Sequence, residues 1–156
     1  MINIIGGKYK GSKLQVPLKN VRPTSAIKRS AIFSVLESYA LKNSYNLYEN
    51  QCFIDIFAGS GSLGLEAISR GASFSYFFEN NNEVLKVLKK NCIKICKEKN
   101  YEIILDDIFY SNFSNINIPI STIFLDPPYN INPFQKILNN IKKSIKLNIN
   151  TKIVLE

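Results

Sequence analysis

The sequence predicts a single α/β domain built on a mostly parallel sheet, and three observations predict it. Strand-type and helix-type runs alternate through residues 46–156, the pattern of a parallel sheet with right-handed crossovers. The apolar run Cys52-Phe53-Ile54 passes through Asp55-Ile56-Phe57-Ala58-Gly59-Ser60-Gly61-Ser62-Leu63-Gly64 into the helix formers Leu65-Glu66-Ala67-Ile68-Ser69-Arg70, which Gly71 stops. Strand, tight glycine turn and helix N-terminus in that order mark the place where an open α/β sheet holds a ligand. A second apolar run, Ile123-Phe124-Leu125, ends in Asp126-Pro127-Pro128-Tyr129.

The elements follow in chain order. Residues 2–16 suggest two short strands: Ile2, Ile4 and Ile5 lead into Gly6-Gly7, Gly11 allows a second turn, and Leu14 and Val16 alternate before Pro17. Lys8-Tyr9-Lys10 places an aromatic ring between two cations, suited to stacking and phosphate contact. Arg22-Pro23-Thr24-Ser25 reads as a loop, and Thr24 or Ser25 can cap a helix from Ser25 to about Lys42. Ile32, Val35, Leu36 and Tyr39 recur on it at helical spacing and are expected in the core, while Lys28 and Arg29 can face a phosphate backbone. Residues 43–50 form a polar linker. The body then reads as strand 52–57, helix 62–70, strand 73–78 and a polar helix from about Asn81 to Lys97, apolar on the side of Val84, Leu85, Leu88 and Ile95. A strand from Glu102 to Leu105 ends at Asp106-Asp107, and a loop with a short turn spans 108–119. Strand 121–125 precedes the Asp-Pro-Pro-Tyr turn. Pro133 suits the first turn of a helix reaching about Leu147, and Thr151 to Leu155 is the last strand.

Composition narrows the function. At 156 residues and 46% apolar content the chain can bury one core. No apolar run approaches the ~20 residues that span a bilayer, and Met1-Ile2-Asn3-Ile4-Ile5-Gly6 lacks the basic start and long apolar segment of a signal peptide. A soluble, cytoplasmic protein is expected. Three cysteines, Cys52, Cys92 and Cys96, argue against a disulfide framework; Cys92 and Cys96, one helical turn apart, read as buried apolar side chains. There is no histidine, which removes Ser-His-Asp and Cys-His nucleophiles and the commonest metal ligand, and no metal is expected. Residues 1–45 carry eight basic groups against Glu37 alone, a net +7, whereas residues 46–156 net +1. A basic N-terminal arm (1–45) on a nearly neutral body (46–156) suggests a polyanion docked by the arm.

The glycine turn also fits Gly-x-Gly-x-x-Gly, with Glu79 twenty residues after Gly59, so a dinucleotide site is an available alternative. Charge argues against it. A pyrophosphate wants a helix dipole and no nearby anion, yet Asp55 stands beside the turn. S-adenosylmethionine (AdoMet) has no phosphate and carries a sulfonium and an ammonium, which a carboxylate favours. Around it Phe57, Ala58, Gly59, Ser60, Gly61 and Leu63 form the turn, and Glu79 can accept from both ribose hydroxyls. Asp107, or Asp106 one residue earlier, can accept from the adenine amino group. Asp126-Pro127-Pro128-Tyr129 suits a poorly nucleophilic exocyclic base amine. The Asp126 carboxylate and the Pro127 carbonyl can take its two N–H groups, favour a pyramidal nitrogen and stabilise the charge that develops on attack. Pro127 and Pro128 stiffen the turn, and Tyr129 can stack on a flipped-out base. In order and separation the two motifs resemble those of AdoMet methyltransferases that act on exocyclic nitrogens of nucleobases.

A closer resemblance covers nearly the whole chain. Ile4-Ile5-Gly6-Gly7 with Gly11 and Lys13-Leu14, then Arg22-Pro23-Thr24, Arg29 and Phe33, then Asp55 to Ala72, Glu79, Asn91 and Asp126 to Tyr129, resemble the RsmD family. That family methylates the exocyclic N2 of one guanine in bacterial small-subunit (16S) ribosomal RNA. The resemblance implies a Rossmann-like methyltransferase fold, AdoMet as cofactor, and ribosomal RNA in a small-subunit particle as partner. It implies an arm that binds RNA and lies over the cofactor, with Lys8, Lys10, Arg22, Thr24 and Arg29 as its contacts. Ala26 and Ile27 stand where the family usually has an acid and a basic residue. The chain stops at Glu156, within the last strand, so the final antiparallel hairpin of such enzymes is expected to be absent. A monomer is expected, with that strand's open edge able to pair with another chain. DNA adenine-N6 methylation and a non-catalytic RNA-binding or assembly role are the alternatives.

Overall fold

The computed structural model describes residues 1–17, 24–97, 99–105, 116–127, 134–144 and 147–155. A small antiparallel pair, β1 (Ile2–Asn3) and β2 (Lys13–Leu14), opens the chain, followed by α1 (Ala26–Lys42). The body alternates β3 (Cys52–Ile56), α2 (Ser62–Arg70), β4 (Phe74–Phe78), α3 (Asn82–Ile95), β5 (Tyr101–Ile104), β6 (Ile120–Leu125), α4 (Phe134–Ser144) and β7 (Lys152–Leu155). The five body strands are parallel in the order β5-β4-β3-β6-β7. The parallel sheet starts at β3, winds outward to β5 and returns to β6 on the other side of β3. The crevice between β3 and β6 is therefore the topological switch point where such sheets bind ligands.

Burial follows from this order. Central β3 and β6 are buried along their whole length, while the outer strands β5 and β7 are only partly covered. Alternate residues of the sheet feed two cores. Phe53, Phe77 and Phe124 face α1, α2, α3 and the arm; Ile54, Ile56, Ile123 and Leu125 face Ile137 and Ile141 of α4. Ile4 and Leu14 of the arm are 2% and 1% exposed within the first core, so the arm is part of the domain's packing. Helix starts are set locally. Ser25 caps α1 by accepting from the Lys28 N–H, and Asn81 caps α3 by accepting from Glu83 and Val84.

One expectation for α1 is corrected. Its buried residues are Arg29, Phe33, Leu36 and Ala40, whereas Val35 is 68% and Tyr39 is 44% exposed. Ile27 and Leu41 also face solvent, so apolar residues lie on both sides of the helix and spacing alone does not select the inner one.

The arm sits on the C-terminal half of α2. Ile5 donates its N–H to the buried Glu66 Oε2 (2.9 Å), Lys8 donates to the Ser69 carbonyl (2.6 Å), and Tyr9 donates to Ser69 Oγ (2.9 Å). Arg70 bridges Glu66 and Glu37 at 2.9 and 2.7 Å and lies over the Phe33 ring at 4.8 Å. Gly7, at φ +73°, leaves no room for a Cβ, which would collide with the Ser69 carbonyl. Gly7→Ala therefore combines overpacking with a backbone that L residues avoid, and should cost about 1–3 kcal/mol in urea unfolding. An unchanged midpoint would show that the arm is not seated on α2 in solution.

Candidate active site

Ile56 of β3 lies opposite Leu125 of β6, so Phe57 and Asp126 leave the sheet side by side. Phe57 takes φ +64°, a left-handed conformation rare outside glycine that costs roughly 1–3 kcal/mol and gathers at functional sites. The next residues turn their N–H groups inward. Ala58 donates to the Phe78 carbonyl (3.0 Å) and Gly61 to the Ala58 carbonyl (2.7 Å). Gly59 donates to Glu79 Oε2 (3.0 Å) and Gly64 to Asp55 Oδ2 (2.9 Å). Gly61, at φ +77°, caps α2, and a Cβ there would meet Leu88 Cδ1 at 2.6 Å.

This wiring decides what the loop can hold. A phosphate-binding loop offers its N–H groups to the ligand; here four of them are taken, two by carboxylates. The loop fits a ligand with hydroxyls and positive charge and no phosphate. Glu79 is held in place on its other oxygen too, since its Oε1 accepts from the Asn81 N–H (2.9 Å). A carboxylate offers about four acceptor positions, so it can still take hydroxyls.

Asp55 stands beneath the loop, 3% exposed. Burial pushes its carboxyl up to about 8; the Gly64 N–H opposes this, and the negative charges of Asp126 and Glu79 add to it. The three acids therefore share one field at the ends of β3, β4 and β6. Ser60 (3% exposed) and Leu63 (4%) are buried behind the loop. The Ser60 carbonyl accepts from Asn91 Nδ2 (2.9 Å), and the same Asn91 amide pairs with both the N–H and the carbonyl of Gln15 at 2.9 Å. One buried amide thus ties the arm to the glycine loop.

The basic residues divide. Lys8 and Lys10 are exposed on the arm, with the Lys8 ammonium 5.4 Å from the Tyr9 ring centre. Arg29 is a correction: at 1% exposure it cannot meet a phosphate backbone. Its Nη1 donates to the Thr24 carbonyl (2.7 Å) and its Nη2 to the Asn3 carbonyl (2.6 Å). Burial lowers its pKa and the nearby Glu66 opposes this. Thr24 is likewise turned inward, 7% exposed, with Oγ1 3.4 Å from Asp126 Oδ2. Asp126 is half-buried and Pro127 buried. Arg22, Asp106, Asp107, Pro128, Tyr129 and Pro133 lie outside the described residues. Gln15, Glu66 and Ser69 hold the arm without belonging to a recognisable site motif; for Glu66 the one clue is Arg70 four residues on, a helical ion-pair spacing.

The Asp55 carboxyl generates a pH test. Its folded value, about 8, lies above the ~3.9 of an unfolded aspartate, so the folded chain keeps a proton that the unfolded chain releases. Stability therefore falls as pH rises through that window. Asp55→Asn retains an acceptor for Gly64 and removes the loss. Melting curves should show the wild type losing ground to Asp55→Asn from about pH 5 to about pH 8 and the two converging below about pH 4. Parallel pH profiles would contradict the buried, raised carboxyl.

The chain is 41% identical over 150 residues to "Ribosomal RNA small subunit methyltransferase D" of Buchnera aphidicola subsp. Acyrthosiphon pisum, covering 94% of the chain and 74% of the relative. It is 32% identical over 158 residues to the protein of the same name from Haemophilus influenzae, covering 99% of the chain and 78% of the relative. Among solved structures, the methyltransferase candidate yhhF of Escherichia coli superposes with a TM-score of 0.74 at 28% identity, over 94% of the chain and 75% of that protein. The chain thus spans about three quarters of the length of these relatives. The family model described as "Conserved hypothetical protein 95" matches residues 2–156, and the chain belongs to that family.

Proposed function

We propose that the chain is an AdoMet-dependent methyltransferase that adds a methyl group to the exocyclic N2 of a guanine in small-subunit ribosomal RNA, acting on a subunit particle in the cytoplasm. One observation carries the reading. The carboxylate-clamped glycine loop and Asp126-Pro127 emerge from adjacent, registered strands at the switch point of the sheet. The relatives' printed names support ribosomal RNA as substrate.

AdoMet, when bound, supplies an electrophilic methyl group on a sulfonium. Glu79 would hold the ribose hydroxyls, and the negative charges of Glu79 and Asp126 beside Asp55 would favour the cationic end. Asp126 and the Pro127 carbonyl would accept the two N–H groups of the guanine amine. They localise its lone pair, stabilise the charge formed as the N–C bond is made, and leave Asp126 placed to take the departing proton. Tyr129 would stack on the extruded base. Exposed Lys8 and Lys10 would meet the RNA backbone, where each phosphate contact strengthens binding in a salt-dependent way.

The test is methyl transfer from labelled AdoMet to small ribosomal subunits that lack their native guanine-N2 methylation, with naked ribosomal RNA and duplex DNA alongside. Label should appear on a single guanine of the particle. Label on DNA adenine would replace the substrate assignment, and AdoMet binding without transfer to any nucleic acid would replace catalysis with RNA binding. In the same assay Asp126→Ala should lower turnover about 10²–10³-fold; unchanged turnover would remove Asp126 from the chemistry.

A further inference from the structure

The sequence offers Thr24 to RNA, but the structure turns it towards the catalytic carboxylate. We propose that Thr24 is a positioning residue for Asp126. Its hydroxyl donates to one carboxylate oxygen and so sets the plane in which the other meets the substrate amine. This inference rests on the methyltransferase reading of the site.

The backbone around Thr24 is held from two sides. Arg29 Nη1 grips the Thr24 carbonyl at 2.7 Å, and its Nη2 reaches back to Asn3 of β1 at 2.6 Å. On the next residue, Ser25 caps α1, with its Oγ accepting from Lys28 (3.2 Å) and its carbonyl accepting from the Arg29 N–H (3.0 Å). Arg29 is 1% exposed, and a desolvated guanidinium bound to two carbonyls is costly to move. Thr24 is itself buried, and a β-branched side chain has few χ1 choices. Its hydroxyl therefore has a fixed aim, and that aim is Asp126 Oδ2, across 102 residues of sequence.

Asp126 stands near the acidic side chains of Asp55 and Glu79. The Thr24 hydroxyl, on the arm side, fixes one carboxylate oxygen relative to them. The 3.4 Å separation is long for a hydroxyl–carboxylate bond, as expected of a catalytic contact that tightens when substrate fills the site. Arg29 and the arm thereby enter catalysis through Thr24 and not through phosphate contact. Misplacing a reacting group by about 1 Å costs on the order of 10²-fold in rate, so the contribution is measurable.

The experiment pairs kinetics with crystallography on Thr24→Val, which keeps the shape and removes the donor, and Thr24→Ser, which keeps the donor. On subunit particles, Thr24→Val should lower kcat about 10–100-fold, with KM for the particle and AdoMet affinity within about twofold of wild type. Thr24→Ser should restore most of kcat. In its crystal structure Thr24→Val should show the Asp126 carboxylate rotated from its wild-type place. Unchanged kcat, a loss confined to KM, or an Asp126 carboxylate still in place would each overturn the proposal. Should the wild type transfer no methyl group at all, the functional reading fails, and the crystallographic comparison still decides whether Thr24 holds Asp126. Thr24→Ala repeats the comparison if Thr24→Val folds poorly.

Discussion

The rest of the site depends on the grip of two carboxylates on one glycine loop. Glu79 holds the Gly59 N–H from the end of β4, and Asp55 holds the Gly64 N–H from the end of β3. Both acids reach the loop because β3 and β4 run parallel in register, with Ile56 opposite Phe78. Turned outward, the same N–H groups would make an anion site at the start of α2, as in phosphate-binding loops. Turned inward onto Glu79 and Asp55, they leave the crevice to the charges of Glu79 and Asp126. The electrostatic cost is visible at Asp55, whose carboxyl is pushed up to about 8 by burial and by its acidic neighbours. A cationic ligand would relieve that cost, which is the basis for proposing a sulfonium cofactor here and not a pyrophosphate.

The helix that begins at this loop also carries the arm. α2 is only nine residues long. Its first turn receives the Asp55 carboxylate, and its last turn offers Glu66, Ser69 and Arg70 to the hairpin. Asn91 of α3 closes the circuit by bonding Gln15 on one side and Ser60 on the other. At the far end of the arm, Arg29 holds Thr24, whose hydroxyl reaches Asp126. The basic arm therefore belongs to the rigid frame of the catalytic site. Its exposed lysines, Lys8 and Lys10, meet solvent on an element whose inner face positions the chemistry.

Most of the body was legible because its signals are local. The alternation of apolar runs placed β3, α2, β4 and α3 within one or two residues, and Gly71 ended α2 as its left-handed φ of +111° requires. The motifs placed the loop and Asp126 at strand ends that turned out to be neighbours. What stayed hidden is set by packing across long separations. α1 carries apolar residues all round, so periodicity could not reveal that Phe33 and Ala40 face the core while Val35 faces water. Arg29 looked like a phosphate contact because it is a cation on a basic arm, and Thr24 was expected at the RNA through the family resemblance; only the tertiary structure shows the carbonyls of Asn3 and Thr24 taking both terminal nitrogens of the guanidinium. Asp55 looked like a partner for the cofactor's cation, and its tight bond to Gly64 beneath the loop depends on how the turn folds back.

The most direct test of the central claim, that this loop is wired for a cationic adenosine cofactor, is isothermal titration of the chain with AdoMet and separately with NAD. Saturable binding of AdoMet, weakened at least tenfold in Glu79→Ala, with no heat from NAD, is the predicted result. Binding of NAD with none of AdoMet would contradict the account at its base.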